Sequence, residues 1–467
     1  MTWTQRVGLV LGPLLALLIA LPAPPDGLSV EGQRGLAVLA LCVCWWMSTP
    51  VALPVTSLVG LALLPILGVL PPSEAFALFG NQAVFFVIGV FLIASAMLGT
   101  GLSKRMALWA MRRMARSEDW LAGAVLILST LMCLAVVSHA VAAIMLPIVI
   151  GVISALDLPT RSRTARRLLL SMAWGTILGS NLTLFSSARA SLAMSTYSRW
   201  AEGHGPVGGV AFFEFSAATV GVVVSLVAVA YVWLRVMLPP EGLEMGPAIA
   251  KLDQQVAEEG PISGREWRTL GILAVMVPAL VVFGPRYGLG TVALLFSGAL
   301  FAFRVLDWEE AERSVNWGIV LLYGGAIAIG AGLDQSGAMA WIVAQAIPTG
   351  GVHPWLALAG IAGIAMVLTE FVSNAAVIAI ALPAVLAVAP AVGLDGRAVS
   401  ILMSVATGLA FSMPTSTPAM AMVYGTGYVN LRTGVAVGVP LSLFALPVLL
   451  VVVIFIWPIL GFSAGGP

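Results

Sequence analysis

The chain has 467 residues, of which 60% are hydrophobic and only 9% charged, against roughly 25% charged in a typical soluble domain. No soluble fold hides that much apolar surface, so the composition implies a polytopic, all-α membrane protein. A net charge of +1 argues against a nucleic-acid partner.

Apolar segments fall near residues 7–24, 32–48, 53–70, 82–101, 120–157, 168–190, 209–237, 268–284, 287–304, 316–334, 352–392, 398–424 and 436–459. The first follows Arg6 and faintly resembles a signal peptide, but a second long apolar segment follows directly, so a first spanning helix is expected. Cys42, Cys44 and Cys133 lie inside apolar segments and read as small packing residues. Two segments, 120–157 and 352–392, exceed the ~20 residues of one span. Each is expected to be a re-entrant hairpin, leaving about eleven transmembrane helices.

Both long segments contain a polar break. In the second, Thr369, Glu370, Ser373 and Asn374 stand within six residues, followed by small and aliphatic residues up to Leu382-Pro383. In the first, Ser138-His139 interrupt the run, which resumes to Leu146-Pro147. Polar groups at membrane depth are costly unless they face a partner, a cavity or an ion. A polar knot joining two helices is the plainer alternative. The pattern occurs twice, however, and two glycine pairs 12 residues apart, Gly89–Gly101 and Gly325–Gly337, precede the two breaks. Interrupted hydrophobic segments in corresponding halves point to a transporter's binding site.

Charge orients the chain. With a cytoplasmic N-terminus, seventeen lysines and arginines fall inside, including the clusters 104–116 and 161–167, and four outside, as the positive-inside rule requires. The first hairpin then opens from the cytoplasm and the second from outside, an inverted repeat. The expected organisation is an N-terminal half (1–238), a cytoplasmic linker (239–267) and a C-terminal half (268–467). The linker is acidic, acts as a tether, and has room for a short surface helix over 247–256.

Enzyme chemistry fails on inventory. The three histidines are too far apart for a His-Glu-x-x-His zinc site, and neither lysine follows a glycine as a Walker A loop requires. No Gly-x-Ser-x-Gly elbow occurs, and no cofactor is implied. Asn181-Leu182-Thr183 matches a glycosylation acceptor but lies within an apolar span.

Several stretches carry a family resemblance: Trp45-Trp46 with Leu53-Pro54-Val55-Thr56, Leu70-Pro71-Pro72, Phe79-Gly80-Asn81, Trp317-Gly318-Ile319, Thr369-Glu370 before Ser373-Asn374, and Tyr424-Gly425-Thr426-Gly427-Tyr428. In this order the chain resembles the divalent anion:sodium symporter family, from about Trp45 to Leu443. The resemblance implies a homodimeric, elevator-type secondary transporter of dicarboxylates, citrate, sulfate or similar anions in the cell membrane. It also implies a Ser-Asn-Thr motif at each hairpin tip and a Thr-Pro-Pro-Asn-like loop breaking each following helix. Carried onto this chain, Thr369, Ser373 and Asn374 become sodium ligands, with Asn374, Thr417 and Pro418 toward the substrate.

The first half departs from that pattern. Aligned without a gap, Val137-Ser138-His139 occupies the motif; with a one-residue gap, Ser138-His139-Ala140 does. The later loop retains Thr183 but reads Ser186-Ser187-Ala188-Arg189. Ser138, His139, Thr183 and Arg189 are therefore the expected substrate-side residues of this half. Arg189 either snorkels to the outer interface or supplies fixed charge in place of a sodium ion. His139 is either a packed neutral imidazole or a proton carrier. A sodium-independent exchanger or proton-coupled carrier, an arsenite or sodium/proton antiporter, and a non-transporting membrane scaffold or sensor are the alternatives.

Overall fold

The computed structural model describes residues 2–204, 210–346 and 353–462; the segments expected at 209–237 and 352–392 begin on residues outside these. In the first half α1 (Trp3–Ala20) and α2 (Val30–Ser48) pack side by side, followed by α3 (Leu53–Ile66), α4 (Pro72–Phe79), α5 (Gln82–Gly99) and α6 (Leu102–Met114). Then come α7 (Glu118–Met132), α8 (Ser138–Ala155), α9 (Arg163–Gly179), α10 (Ala188–His204) and α11 (Phe212–Met237). The later part runs through α12 (Gly246–Glu259), α13 (Gly264–Tyr287), α14 (Leu289–Ala302), α15 (Trp308–Ser314), α16 (Trp317–Gln335) and α17 (Ala338–Ala346). It ends with α18 (Pro354–Phe371), α19 (Asn374–Val388), α20 (Gly396–Ala406), α21 (Pro418–Gly425) and α22 (Leu431–Val451). Nine stretches among the described residues are long and apolar enough to cross a bilayer, from Trp3–Ala20 to Leu431–Ile456. Their outer faces carry exposed Val10, Leu18, Val224 and Leu443, as lipid contact allows.

The two halves repeat one another in detail, at a constant separation of 236 residues (89 to 325, 68 to 304). Gly68 ends α3 at φ 72, with Val69 N–H donating to Leu64 O at 2.8 Å; Arg304 ends α14 at φ 53, with Val305 N–H donating to Leu300 O at 2.8 Å. Gly101 and Gly337 open α6 and α17 at φ 79 and φ 75, a backbone that glycine adopts without penalty. Asp157 at φ 51 and Gly393 at φ 69 turn the chain after the two hairpin-like pairs.

Packing is exchanged between the halves. A Cβ on Gly89 of α5 would lie 2.8 Å from the Ala293 Cβ of α14, while one on Gly325 of α16 would lie 2.5 Å from the Ser57 carbonyl of α3. Ser57 and Ala293 are themselves an equivalent pair, so each half seats its glycine on the equivalent helix of the other half. In the same way α8 packs on α21 and α19 packs on α10. Within the first half, Gly175 and Gly179 of α9 face the Leu126 and Thr130 carbonyls of α7, the close backbone approach that small residues four apart permit.

Polar clasps hold the linker down. The buried Glu118 at the start of α7 accepts the Glu241 N–H at 3.0 Å, the Leu243 N–H at 2.7 Å and the Thr164 hydroxyl. In return Glu241 accepts the Ser162 hydroxyl at 2.6 Å and the Arg163 and Thr164 N–H groups at 3.1 and 3.2 Å, capping α9. Arg105 of α6 grips the far end of α12 through the Glu259, Gly260 and Pro261 carbonyls and the Glu266 carboxylate. The short surface helix expected within the linker is present as α12.

Candidate functional site

Each polar break is a change of helix. Val137 precedes α8 at φ −61, ψ 141, and Ser373 precedes α19 at φ −60, ψ 139. Equivalent cap geometry fixes the register: Ser138 lies opposite Asn374 and His139 opposite Ala375, the ungapped alternative. Ser373 caps α19, its Oγ accepting the Ala376 N–H at 3.3 Å, whereas Val137 has no side chain for that task. The first tip is tied down otherwise, by Ser138 N–H donating to the Ser186 carbonyl at 3.0 Å. His139 is half-buried, with its ring 5.9 Å from that of Phe91 on α5.

At the second break Thr369 is buried and its hydroxyl donates back to Met366 O at 3.0 Å. Val372 is extended, at φ −121, ψ 150. Asn374 starts α19 half-buried, and its Oδ1 is shielded from solvent with no hydrogen-bond partner among the described residues. Orphaned buried acceptors are uncommon and call for an explanation. Glu370 has a different task. Its carboxylate accepts the N–H groups of Phe411 (3.0 Å), Ser412 (3.2 Å) and Met413 (2.9 Å), and its carbonyl accepts the Thr415 hydroxyl at 2.8 Å. One carboxylate thus shapes the loop 407–417 that interrupts the following helix. At its end Thr417 caps α21, accepting the Met420 N–H at 3.2 Å, with Pro418 exposed in the first helical position.

The matching loop of the first half, 180–187, is buried throughout. Thr183 and Ser186 close it reciprocally: Ser186 N–H donates to Thr183 Oγ1 at 3.2 Å and Ser186 Oγ donates to Thr183 O at 2.6 Å. Arg189 lies beside it, 5% exposed, so the snorkelling alternative does not hold. Nor is the guanidinium presented to a ligand here, because protein oxygens occupy it. Nε donates to Ser404 O (3.0 Å), one terminal nitrogen to Ser187 Oγ (2.9 Å), and the other to Ser180 Oγ (3.0 Å), Ser180 O (3.4 Å) and Asn181 Oδ1 (2.6 Å). No carboxylate is among these partners. Gly408 makes room: a Cβ there would stand 2.6 Å from both the Arg189 Cζ and the Asn181 Oδ1.

The structure therefore brings Ser138, Thr183 and Arg189 to one loop, and Thr369, Ser373, Asn374 and Thr417 to the second break and its loop. Ser180, Asn181, Ser404 and Gly408 were not expected at the site. The Ser180-Asn181 dipeptide in an apolar span was a signal for the first two; nothing local marks the others.

Comparison with known proteins agrees with this architecture. Residues 2–463 match the family model described as the sodium:sulfate symporter transmembrane region. The chain is 27% identical over 492 residues to a sodium-dependent dicarboxylate transporter, SdcS, of Staphylococcus saprophyticus, covering 99% of this chain and 93% of the relative. Its Staphylococcus aureus counterpart is 26% identical with the same coverage. Among solved structures, Neisseria gonorrhoeae MtrF, titled as illuminating a class of antimetabolite efflux pumps, superposes with a TM-score of 0.59 at 14% identity, over 100% of this chain and 98% of that one. The Alcanivorax borkumensis YdaH transporter gives 0.53 at 15% identity, over 83% and 88%. At these identities the two structures bear on fold alone. The chain is a multi-pass membrane protein belonging to the sodium:sulfate symporter transmembrane family, the divalent anion:sodium symporters.

Proposed function

We propose that this protein is a secondary active transporter of small divalent anions, dicarboxylates first, coupled to cations and working by an elevator motion. The observation that carries the reading is the pair of helix breaks in equivalent positions, one of which leaves the Asn374 Oδ1 buried and, among the described residues, unpartnered. Interrupted helices offer N–H groups at helix starts to anions and freed carbonyls to cations. The pairs α7–α8 and α18–α19 are the re-entrant hairpins, opening from opposite sides in an inverted repeat. They form one moving body with α9, α10, α20 and α21; the crosswise packing of α8 on α21 and α19 on α10 supports this. The other body is built on α3 with α16 and α5 with α14. The basic clusters near 104–116 and 161–167 support a cytoplasmic N-terminus, and the dicarboxylate relatives support the substrate class. The homodimer comes from the family resemblance.

Coupling divides between the halves. Thr369, Ser373 and Asn374 form the sodium site of the second. In the first, Arg189 supplies the charge that a sodium ion would, held by neutral oxygens of Ser180, Asn181, Ser187 and Ser404. Because arginine stays protonated, this cation travels with the protein and fewer sodium ions are needed per anion.

The test is uptake of labelled succinate and sulfate into proteoliposomes under a sodium gradient, a pH gradient, or counter-anion loading. Sodium-driven succinate uptake is expected, lost in Asn374→Ala with the oligomer intact. Arg189→Gln should steepen the sodium dependence. Uptake driven by counter-anion alone, with no sodium response, would make the chain an exchanger, the reading that the built-in cation also favours. No flux of any anion would leave a scaffold.

A further inference from the structure

Between α10 and the α5–α14 pair lies a cavity of about 630 Å³ that reaches the first helix break. At its inner end is Leu184 of the loop 180–187, whose carbonyl accepts the Ser191 hydroxyl at 3.0 Å. From there the wall follows one face of α10, where Ser191, Ser195, Ser198, Arg199 and Glu202 recur every three or four residues. Gln82 of α5 and Gly284, Gly288 and Gly290 at the junction of α13 and α14 form the opposite wall.

The donors along the α10 wall are unevenly used. Ser191 gives its proton to Leu184, Ser195 Oγ donates to Leu192 O at 2.8 Å, and Ser198 Oγ donates to Met194 O at 2.9 Å. Arg199 is half-buried, yet its guanidinium has no hydrogen bond and no ion pair among the described residues. Glu202, one turn on, is exposed at the rim. Asp334 borders, with Arg199, the narrow cavity between α10, α16 and α19. Neither carboxylate forms an ion pair with Arg199. A charge withdrawn from water without an acceptor is costly, and a planar fork of five N–H donors matches a carboxylate or an oxoanion. Arg199 stands eight residues beyond Ser191, about 12 Å along the helix, so it lies toward the entrance and Ser191 toward the break.

We propose that this cavity is an outer vestibule in which the incoming dianion first docks, with the Arg199 guanidinium as its charge partner. The inference rests on the transport reading above. In the topology proposed there, α10 runs outward from its loop, so the vestibule opens to the outside. A cleft of one charge between low-dielectric walls concentrates counter-ions and speeds their capture. One guanidinium among hydroxyls already bonded to their own helix captures a dianion without trapping it, and leaves it free to move inward.

The experiment measures kcat/KM for succinate uptake into proteoliposomes by the parent, Arg199→Gln and Arg199→Lys. Sodium is held constant, and ionic strength is varied with choline chloride. Arg199→Gln should lower kcat/KM about tenfold at low ionic strength and less at high, with kcat unchanged, while Arg199→Lys keeps most of it. Equal kcat/KM at low ionic strength would overturn the proposal. So would a loss that neither salt nor lysine relieves, because the role of Arg199 would then be structural. A second measurement needs no flux. Ser198→Cys protein is treated with an anionic and a cationic methanethiosulfonate, with the parent as blank. The anionic reagent should react faster, succinate should slow it, and adding Arg199→Gln should reduce the preference about tenfold. Absence of that preference would overturn the vestibule; should Arg199→Gln not fold, the preference and the protection by succinate decide alone. A parent that moves neither succinate nor sulfate, while Ser198→Cys still prefers the anionic reagent, would overturn the transport reading and this inference with it.

Discussion

The guanidinium of Arg189 and the carbonyl of Ser404 are joined by a 3.0 Å hydrogen bond across 215 residues of sequence. One residue follows the break of the first half and the other precedes the break of the second, so the bond ties the two discontinuities together. A cation buried without a carboxylate would be prohibitive in a dry interior. Here oxygens freed by the helix break replace its water, and both serine hydroxyls and the Asn181 amide turn toward it. The first loop is consequently closed on itself, whereas the second retains an acceptor at Asn374 with no partner among the described residues.

Gly408→Ala tests whether that arrangement is as tight as it looks. The added methyl overlaps the guanidinium, so Arg189 must give up its bonds or the loop 407–417 must move. Overpacking of this kind costs about 1–3 kcal/mol, and a melting temperature several degrees lower is expected. Gly360→Ala on α18, where a Cβ meets nothing within 4 Å, is the control and should be neutral or slightly stabilising. Equal melting of both variants and the parent would mean that the space at Gly408 is not needed.

Glu370→Gln should release the second loop. The amide keeps one acceptor oxygen, and its NH2 group faces the N–H groups of residues 411–413 that the carboxylate now satisfies. Each buried donor left unpaired costs about 1–3 kcal/mol. A cysteine at Thr415 should react faster with a water-soluble maleimide in this background than in the parent, and succinate uptake should fall. An unchanged labelling rate would show that other contacts hold the loop.

Much of this is legible in the sequence. Ser373-Asn374 and Ser138-His139 stand out because hydroxyls, amides and imidazoles are rare within apolar runs. The glycine spacing of 12 residues marked the repeat, since Gly89 and Gly325 are needed for helix contact and Gly101 and Gly337 for a left-handed turn. The register of the first tip was not legible, because Val137 hides the cap position that Ser373 reveals. Nor was the direction of Arg189. At the end of an apolar segment it suits an interface equally well, and what draws it inward is the space at Gly408, more than two hundred residues away. Local pattern carries no record of such long-range vacancies.

The linker clasp predicts a pH dependence. Burial raises the Glu241 carboxyl, but the Ser162 hydroxyl and the Arg163 and Thr164 N–H groups outweigh it and hold the pKa below the usual value. A depressed folded-state pKa contributes stability that is full above the unfolded value and is lost as pH falls through the folded one. Glu241→Gln should therefore melt lower than the parent near pH 7, with the gap closing on acidification toward about pH 3, below the ordinary carboxylate range. A gap that stays constant with pH would remove the charge of Glu241 from the account.

The inverted arrangement proposed for the two hairpins makes the last prediction. With Val137 opposite Ser373, residues 139 and 375 are equivalent, so His139→Cys and Ala375→Cys place one thiol at the same point of each tip. In the proposed topology the basic clusters before α7 and after α8 put the base of the first hairpin on the cytoplasmic side, and the opposite charge asymmetry puts that of the second outside. If the hairpins meet at the midplane, each thiol is reached by water mainly from its own side. An impermeant maleimide added to right-side-out cells should label position 375, and in inside-out vesicles position 139. A saturating sodium and succinate mixture should change both rates, because the occupied carrier redistributes between its two states. Neither cysteine touches the Arg189 network, so folding is checked by melting temperature against the parent. Labelling of both positions from one side, with and without succinate, would rule out opposite hairpin orientations and with them the proposed alternating-access geometry.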